Sequence, residues 1–238
     1  MRAAPPPLVL LPGMMCDARL FAPQIEALQG RFDILVPRLE APSIRAMAQA
    51  VLDEVVAKRF SLAGLSMGGI VAIAMTDIAP DRIERLALLD TNHLADAPGR
   101  FEIRNRQIKD VLAGHLRDVI VDEMKPVYLA GANRTNLPLL DLLVAMAMDC
   151  GADMFVAQSL ALRDRADQSA TLAACKQPTL VLCGEEDELC PLDRHREMAG
   201  LLENSELVIV PDAGHISTLE NPATVIAALE TWLARPAS

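Results

Sequence analysis

Short aliphatic segments alternate with segments of helical periodicity along much of the chain, and this alternation restricts the fold more than any other sequence feature. The predicted strands are residues 8–11, 32–36, 60–63, 86–90, 179–183 and 207–210. Several of them are nearly continuous Leu, Val and Ile, as expected of strands buried on both faces. Strands that alternate with helices usually form a parallel sheet covered by helices on both faces. The sequence therefore predicts an α/β fold with a mostly parallel sheet.

Residues 93–162 interrupt this rhythm, because they show helical periodicity and charge but no convincing strand. Gly131 and Gly151 are the expected breaks between the helices of this segment. We predict that residues 93–162 form an inserted helical cap, and that residues 1–92 and 163–238 form the core. Open α/β sheets bind ligands at the carboxyl ends of their strands, so we expect the cap to lie over that end.

Composition restricts the classes of partner. The formal net charge is −10, which would repel nucleic-acid phosphates and anionic lipid headgroups, so we expect a small-molecule partner. The longest apolar stretch, residues 137–148, contains Asp141 and is shorter than the roughly 20 residues that cross a bilayer. The proline-rich start is unlike a secretory leader. These features predict a soluble protein that binds neither nucleic acid nor membrane.

The five cysteines are odd in number and lack the paired spacing of zinc or redox motifs. We interpret them as free thiols in a reducing cytoplasm. The sequence has no recognisable metal cluster or nucleotide fingerprint, so we expect no metal and no cofactor.

The sequence Gly64-Leu65-Ser66-Met67-Gly68 joins a predicted strand to an apolar helical segment and matches the pattern Gly-x-Ser-x-Gly. So tight a turn strains the serine backbone, and small residues on both sides avoid clashes. The amino end of the following helix directs N–H groups at any oxyanion formed beside the serine. No Lys-Ser or Lys-Thr follows the glycines, which disfavours a phosphate-binding loop. We predict that Ser66 is a nucleophile; a turn with an idle serine is the alternative.

A serine hydroxyl needs a base to accept its proton. Of the four histidines, only His215 lies in a loop directly after the last predicted strand, before a helix that begins near Asn221 and Pro222. His93 precedes the cap, and His195 lies in a helical segment. We predict that His215 is the general base; a local hydrogen-bonding role is the alternative.

The base in turn needs a carboxylate that fixes its tautomer and stabilises its charged form. Asp187 lies in the loop after the fifth predicted strand, between Gly184 and Pro191. Asp90, at the end of an earlier strand, is the rival acid. The remaining acids of the Asp187 loop are expected to be solvated: Glu185, Glu186 and Glu188.

The chain order Ser66, Asp187, His215 resembles the α/β-hydrolase superfamily, whose catalytic residues occur in the order nucleophile, acid, histidine. More closely, the sequence is similar to the small capped serine esterase and lyase branch that includes the pimeloyl-ester esterase and menaquinone-pathway enzymes. The resemblance covers nearly the whole chain except the cap. It rests on the serine turn and on three further motifs: residues 11–14, 184–191 and 213–215 with 220–222.

This resemblance implies an oxyanion hole formed by the backbone N–H groups of Met14 and Met67. Many relatives have His-Gly where this chain has Pro12-Gly13, so a role of that histidine is lost here. Relatives also often have an additional strand hairpin before Leu8, for which this chain has no room.

We expect hydrolysis of a small carboxylic ester or thioester through an acyl-enzyme. Met15 would form part of a pliable apolar wall, and His93 would line the pocket mouth. Two alternatives remain. One is a lyase or carbon–carbon bond hydrolase for an anionic metabolite, motivated by three cationic residues of the cap: Arg100, Arg104 and Arg106. The other is a non-catalytic ligand receptor on the same scaffold.

Overall fold

The computed structural model describes residues 6–236, apart from the side chain of residue 126. The first five residues and the last two residues of the predicted core lie outside the described residues. So does most of the proline-rich start that the sequence analysis compared with a secretory leader.

A six-stranded parallel sheet forms the centre of the fold. Its strands, in the order β2-β1-β3-β4-β5-β6 across the sheet, are all parallel to their neighbours. This confirms the predicted α/β fold; only the strand ends differ, since β2 is shorter than predicted and β3, β4, β5 and β6 are longer. The strands are β1 (Leu8–Leu11), β2 (Ile34–Leu35), β3 (Phe60–Leu65), β4 (Ile83–Leu89), β5 (Thr179–Gly184) and β6 (Ser205–Val210).

Helices cover both faces of the sheet. Successive residues of a strand point to opposite faces, so Leu8 and Leu10 belong to one hydrophobic cluster, and Val9 and Leu11 to another. The helices are α1 (Ala22–Leu28), α2 (Ile44–Glu54), α3 (Met67–Ile78), α4 (Arg100–Leu112), α5 (Leu116–Asp118), α6 (Leu137–Arg163), α7 (Ser169–Ala174), α8 (Leu192–Leu201), α9 (Ser217–Glu220) and α10 (Pro222–Ala234).

Local sequence explains where several helices begin. Ser43 caps α2 by accepting a hydrogen bond from the Ala46 N–H (3.2 Å). Asn221 caps α10 by accepting one from the Thr224 N–H (3.3 Å), with Pro222 as the first helical residue. Such residues satisfy N–H groups that lack an intrahelical acceptor. The predicted start of the last helix is thereby confirmed.

The described part of residues 93–162 is helical, with α4, α5 and most of α6 in it. A break at Gly151 (φ 81°, ψ 173°) divides α6, at the glycine that the sequence analysis had chosen. Gln158 of α6 attaches this segment to the core: its side chain accepts from the Met15 N–H (2.8 Å) and donates to the Leu39 carbonyl (2.9 Å). The division into core and cap as separate units stays a prediction.

The turn between β3 and α3 is packed against the carboxyl end of β1. A Cβ on Gly68 would lie 2.1 Å from the Leu11 carbonyl oxygen, and a Cβ on Gly64 would lie 2.3 Å from the Gly68 carbonyl oxygen. Both contacts are with backbone, which cannot move aside as a flexible side chain can. Glycine is therefore required at Gly64 for the turn to close on α3 and at Gly68 for the turn to approach β1.

Replacing Gly68 by alanine is expected to lower the free energy of unfolding by about 2 kcal/mol or more, because the turn must separate from β1. Gly200, in α8, has no atom within 4 Å of its potential Cβ. Its replacement by alanine should stabilise the protein by roughly 0.5–1 kcal/mol. Denaturant unfolding of both variants provides the measurement, and equal stabilities for G68A and G200A would contradict the packing argument.

Candidate active site

Ser66 occupies a strained turn at the junction of β3 and α3. Its backbone has φ 54° and ψ −118°, a conformation that residues other than glycine rarely adopt and that typically costs about 1–3 kcal/mol. The Ser66 N–H donates to the Leu89 carbonyl of β4 (2.9 Å). The turn is thus held by the neighbouring strand, and Ser66 remains partly exposed.

Three distant segments bring Ser66, His215 and Asp187 together. His215 Nε2 lies 2.8 Å from Ser66 Oγ, and His215 Nδ1 lies 2.9 Å from Asp187 Oδ2. Asp187 follows β5 and His215 follows β6, so both residues reach the same edge of the sheet as the β3–α3 turn. The arrangement can transfer a proton from the serine hydroxyl to the imidazole while the carboxylate orients the ring.

Backbone groups fix the two loops that carry the acid and the histidine. The second carboxylate oxygen of Asp187 accepts from the N–H groups of Leu189 and Cys190, both at 2.9 Å. The N–H of His215 donates to the Tyr128 carbonyl at 2.8 Å. The Asp187 carboxylate and the His215 backbone are therefore each held by further hydrogen bonds besides the one between their side chains.

The pKa of His215 lies above its usual value. Burial by itself lowers this pKa, but the charge of Asp187 and the hydrogen bond to it more than offset the desolvation. Charges of Asp90 and Glu220 act in the same direction as that of Asp187.

Asp90 is a second buried carboxyl beside this group. Its oxygens accept from the Gly184 N–H (2.8 Å) and from Ser217 Oγ, and among the described residues it makes no hydrogen bond to His215. Burial, followed by the charge of Asp187, raises the pKa of Asp90 to about 8. Asp187 rather than the rival Asp90 is thus hydrogen-bonded to the imidazole, and Asp90 is protonated at neutral pH.

The other histidines near the sheet lie apart from Ser66 Oγ. His195 Nε2 accepts from the Thr91 N–H (3.0 Å), and the Thr91 hydroxyl donates to the Ser66 carbonyl (2.6 Å). Burial lowers the pKa of His195 to about 4, so this ring is a neutral acceptor that supports the turn. The sequence analysis missed Thr91, whose only signal is its place directly after a strand.

His93, predicted to line the pocket mouth, is buried with its ring 3.9 Å from a carboxylate oxygen of Glu197 in α8. Among the described residues, no hydrogen bond or ion pair joins the His93 ring to Ser66, Asp187 or His215. A role in substrate binding stays a prediction.

Of the two predicted oxyanion donors, Met67 directly follows Ser66 in the chain, and Met14 follows Gly13, which packs against Ser66. Met67 begins α3, so its N–H has no preceding intrahelical acceptor. Met14 lies in a turn that is closed by a hydrogen bond from the Cys16 N–H to the Gly13 carbonyl (3.2 Å). This turn packs against Ser66, since a Cβ on Gly13 would lie 3.4 Å from Ser66 Cβ. The Met15 side chain is fully buried in the hydrophobic core, and its part in a substrate wall stays a prediction.

Two arginines that motivated the anionic-metabolite alternative are paired with acids. Arg104 contacts Asp96 (2.6 Å), and Arg106 contacts Glu123 (2.6 Å). Neither guanidinium is therefore a free counter-charge. Sequence patterns did not indicate Tyr128, whose ring centre lies 5.6 Å from that of His215, or Lys125, whose Nζ lies 4.7 Å from the Tyr128 ring centre.

Buried sulfur and carboxylate groups surround the Asp187 loop. Potential ligand atoms of Asp187, Cys190 and His215 lie within 4.8 Å of one another, as do those of Asp90, Cys183 and Asp187. Burial raises the pKa of both thiols well above their usual value, so they stay protonated. Protonated thiols are poor metal ligands.

A cleft of about 650 Å³ lies away from this site. Its lining includes Asp77 and Ile83, near the carboxyl end of α3 and the amino end of β4. That is the opposite end of the parallel sheet from Ser66. The hydrogen-bonded side chains of Ser66, His215 and Asp187 converge at the carboxyl end instead.

Comparison with known proteins agrees with this fold. A family model described as the alpha/beta hydrolase family matches residues 8–229. The fold and the match define an enzyme of the hydrolase class. The chain belongs to the alpha/beta hydrolase family, which confirms the suspected superfamily.

Relatives include a protein of Pseudomonas savastanoi pv. phaseolicola named provisionally as carbamate hydrolase RutD. It is 27% identical over 236 residues, covering 91% of this chain and 89% of that protein. A dihydrolipoyllysine-residue acetyltransferase component of the acetoin cleaving system from Pseudomonas putida is 28% identical over 174 residues; the match covers 72% of this chain but only 44% of that longer protein. A thermophilic esterase of Thermogutta terrifontis, solved with malate bound, is 29% identical, with a TM-score of 0.90 and coverage of 96% of this chain and 89% of the esterase.

Within residues 6–236, each helix is either too short or too polar to span a bilayer. The cytoplasmic location stays a prediction.

Replacing Asp90 by asparagine tests whether this carboxyl is buried in its neutral form. The folded pKa near 8 exceeds the ordinary value of 3.8, so stability present below pH 3.8 is lost as the pH rises toward 8. Asparagine does not titrate. As the pH rises from 3.8 to 8, the stability of D90N relative to the wild type should therefore increase by up to about 1.4 kcal/mol per pH unit. Above pH 8 the difference should stay constant. Unfolding at several pH values gives the difference, and the exposed Asp153→Asn is the control. A pH-independent difference for D90N would contradict the assignment.

Proposed function

We propose that the protein is a serine hydrolase that cleaves a small carboxylic ester or thioester through an acyl-enzyme. In this proposal Ser66 is the nucleophile, His215 the general base and acid, and Asp187 the orienting carboxylate. The observation that carries the proposal is the unbroken line of two hydrogen bonds, 2.8 Å and 2.9 Å long, from Ser66 Oγ through the imidazole to Asp187.

In the first half of the proposed reaction, His215 Nε2 accepts the Ser66 proton as the oxygen attacks the substrate carbonyl. The resulting oxyanion is stabilised by the N–H groups of Met14 and Met67 and by the amino end of α3. His215 then donates its proton to the departing alcohol or thiol, which leaves the acyl group on Ser66.

In the second half, water enters and His215 accepts its proton. The hydroxide attacks the acyl carbonyl, a second tetrahedral intermediate forms, and His215 returns the proton to Ser66 Oγ as the acid product leaves. Asp187 remains ionised and stabilises the imidazolium in both halves. The full burial of the His215 ring strengthens this interaction because little water screens it.

Two of the three named relatives support ester or carbamate chemistry. The Thermogutta protein is described as an esterase and the RutD relative as a carbamate hydrolase. The same three residues could serve the carbon–carbon alternative, and an intact hydrogen-bonded line argues against the receptor alternative. Ester cleavage is the proposal because it requires nothing beyond the groups already described.

Replacing Ser66 by alanine should reduce hydrolysis of a short p-nitrophenyl ester roughly 10⁴-fold or more, because the attacking oxygen is removed. A fluorophosphonate probe should label the wild type on Ser66 and leave S66A unlabelled. Ser169→Ala, at the start of α7, is the control and should keep both activity and labelling. Equal turnover by S66A and the wild type would end the proposal.

The pH profile tests His215 as the base. Because its pKa lies above the usual value, kcat/KM should fall on the acid side with a midpoint above about pH 6.5, as the imidazole becomes protonated and cannot accept the serine proton. Asp187→Asn removes the charge that offsets burial, so the midpoint of its residual activity should shift to lower pH. The exposed His115→Gln is the control and should leave the midpoint in place. A wild-type midpoint at or below about 6.5 would contradict the assignment.

A further inference from the structure

Lys125 is a cation buried within the cap. Its residue is only 2% exposed, and its Nζ has no hydrogen-bond partner among the described residues. The ammonium lies 4.7 Å from the centre of the Tyr128 ring, over its face. Among the described residues, its neighbours include this aromatic ring and the thiols of Cys16 and Cys150.

An unpaired buried charge is costly, since desolvation of an ammonium is offset only by an opposite charge or by hydrogen bonds. The cation–π contact supplies part of this compensation. Burial lowers the pKa of Lys125, and the only charges in the described chain that act in the opposite direction are those of the Cys16 and Cys150 thiols. Both thiols have raised pKa values and are neutral at pH 7, so the ammonium has no resident counter-ion.

Lys125 lies close to the reacting groups. The Tyr128 ring beneath its ammonium is edge-on to the His215 ring, with 5.6 Å between the ring centres. The Lys125 carbonyl accepts from the Tyr128 N–H, and the Tyr128 carbonyl accepts from the His215 N–H. One aromatic ring thus separates the buried ammonium from the imidazole.

On another side, Lys125 is near the turn that carries a predicted oxyanion donor. Cys16, whose thiol senses the charge of Lys125, follows Met14 and Met15 in that turn. The distances of 4.7 Å from Nζ to the Tyr128 ring centre and 5.6 Å from there to the His215 ring centre place the ammonium at most about 10 Å from the imidazole, a span that a short substrate chain covers.

We propose that Lys125 binds a carboxylate of the substrate, so that the preferred substrates are short esters that carry a negative charge a few carbons from the scissile carbonyl. This inference rests on the proposed function and narrows its substrate class. The net charge of −10 disfavours a general attraction of anions, so such a substrate needs a local counter-charge. Lys125 supplies this counter-charge, whereas Arg104 and Arg106 are already paired with acids.

Two pairs of probes test the proposal, each pair matched in size and differing only in charge. The first is monoethyl adipate and the ethyl ester of adipamic acid, with the charge on the acyl side. The second is the acetyl ester of 3-hydroxybutanoate and that of its primary amide, with the charge on the alcohol side. In at least one pair the wild type should favour the carboxylate about 10- to 100-fold in kcat/KM, mainly through KM.

Lys125→Met removes the charge while keeping a long side chain. The variant should lose this preference, so that its ratio of kcat/KM for the carboxylate probe to kcat/KM for the amide probe falls to about 1 in each pair. Because a buried unpaired charge is removed, its thermal stability should be equal or higher. Lys109→Met removes an exposed charge from the same cap and should keep the preference.

The outcomes separate the two proposals. Ester hydrolysis without a preference for either carboxylate, or a preference that survives in K125M, would overturn the role of Lys125 alone. A K125M variant that loses stability and loses activity on charged and neutral probes alike would show a structural lysine instead. Hydrolysis of no probe, with Ser66 unlabelled by a fluorophosphonate, would refute the proposed function itself.

Discussion

The approach of the β3–α3 turn to the carboxyl end of β1 is the constraint on which the rest of the site depends. Gly64 and Gly68 allow backbone to pack on backbone, and Ser66 between them adopts a positive φ. Two hydrogen bonds hold that conformation: the Ser66 N–H donates to a carbonyl of β4, and the Thr91 hydroxyl donates to the Ser66 carbonyl. The strain is tolerated because neighbouring strands determine the turn from both sides, which keeps Oγ within reach of an imidazole from a distant loop.

Burial determines how the two carboxyl groups beside the imidazole, Asp187 and Asp90, differ. Asp187 accepts two backbone N–H groups as well as the imidazole N–H, so its ionised form is well solvated by the protein. Asp90 lies close by with fewer such donors and takes the neutral form. The raised pKa of Asp90 favours its neutral form, because two adjacent buried negative charges would be costly. Asp187 is the carboxyl of the two that is hydrogen-bonded to His215.

The helical segment between β4 and β5 contributes to the site through a few residues that are widely spaced along it. Gln158 binds the backbone at Met15, while Tyr128 meets His215 through both its carbonyl and its ring. Glu220 accepts from Gly214 on the histidine loop and from Ala130 on the helical segment. The segment therefore packs against the imidazole and orders the loop that carries it.

The sequence by itself determined the parallel sheet, the six strands, the break at Gly151, and the placement of Ser66 and His215 at the carboxyl edge. These follow from local signals: strands buried on both faces are continuously aliphatic, tight turns need glycine, and loops after parallel strands share one edge. Only the tertiary structure decided between Asp187 and Asp90 as the partner of His215, paired Arg104 and Arg106 with acids, and placed Lys125 unpaired beside Tyr128. Such pairings join residues far apart in the chain, and their energies depend on burial and on neighbouring charges, which periodicity and composition do not encode.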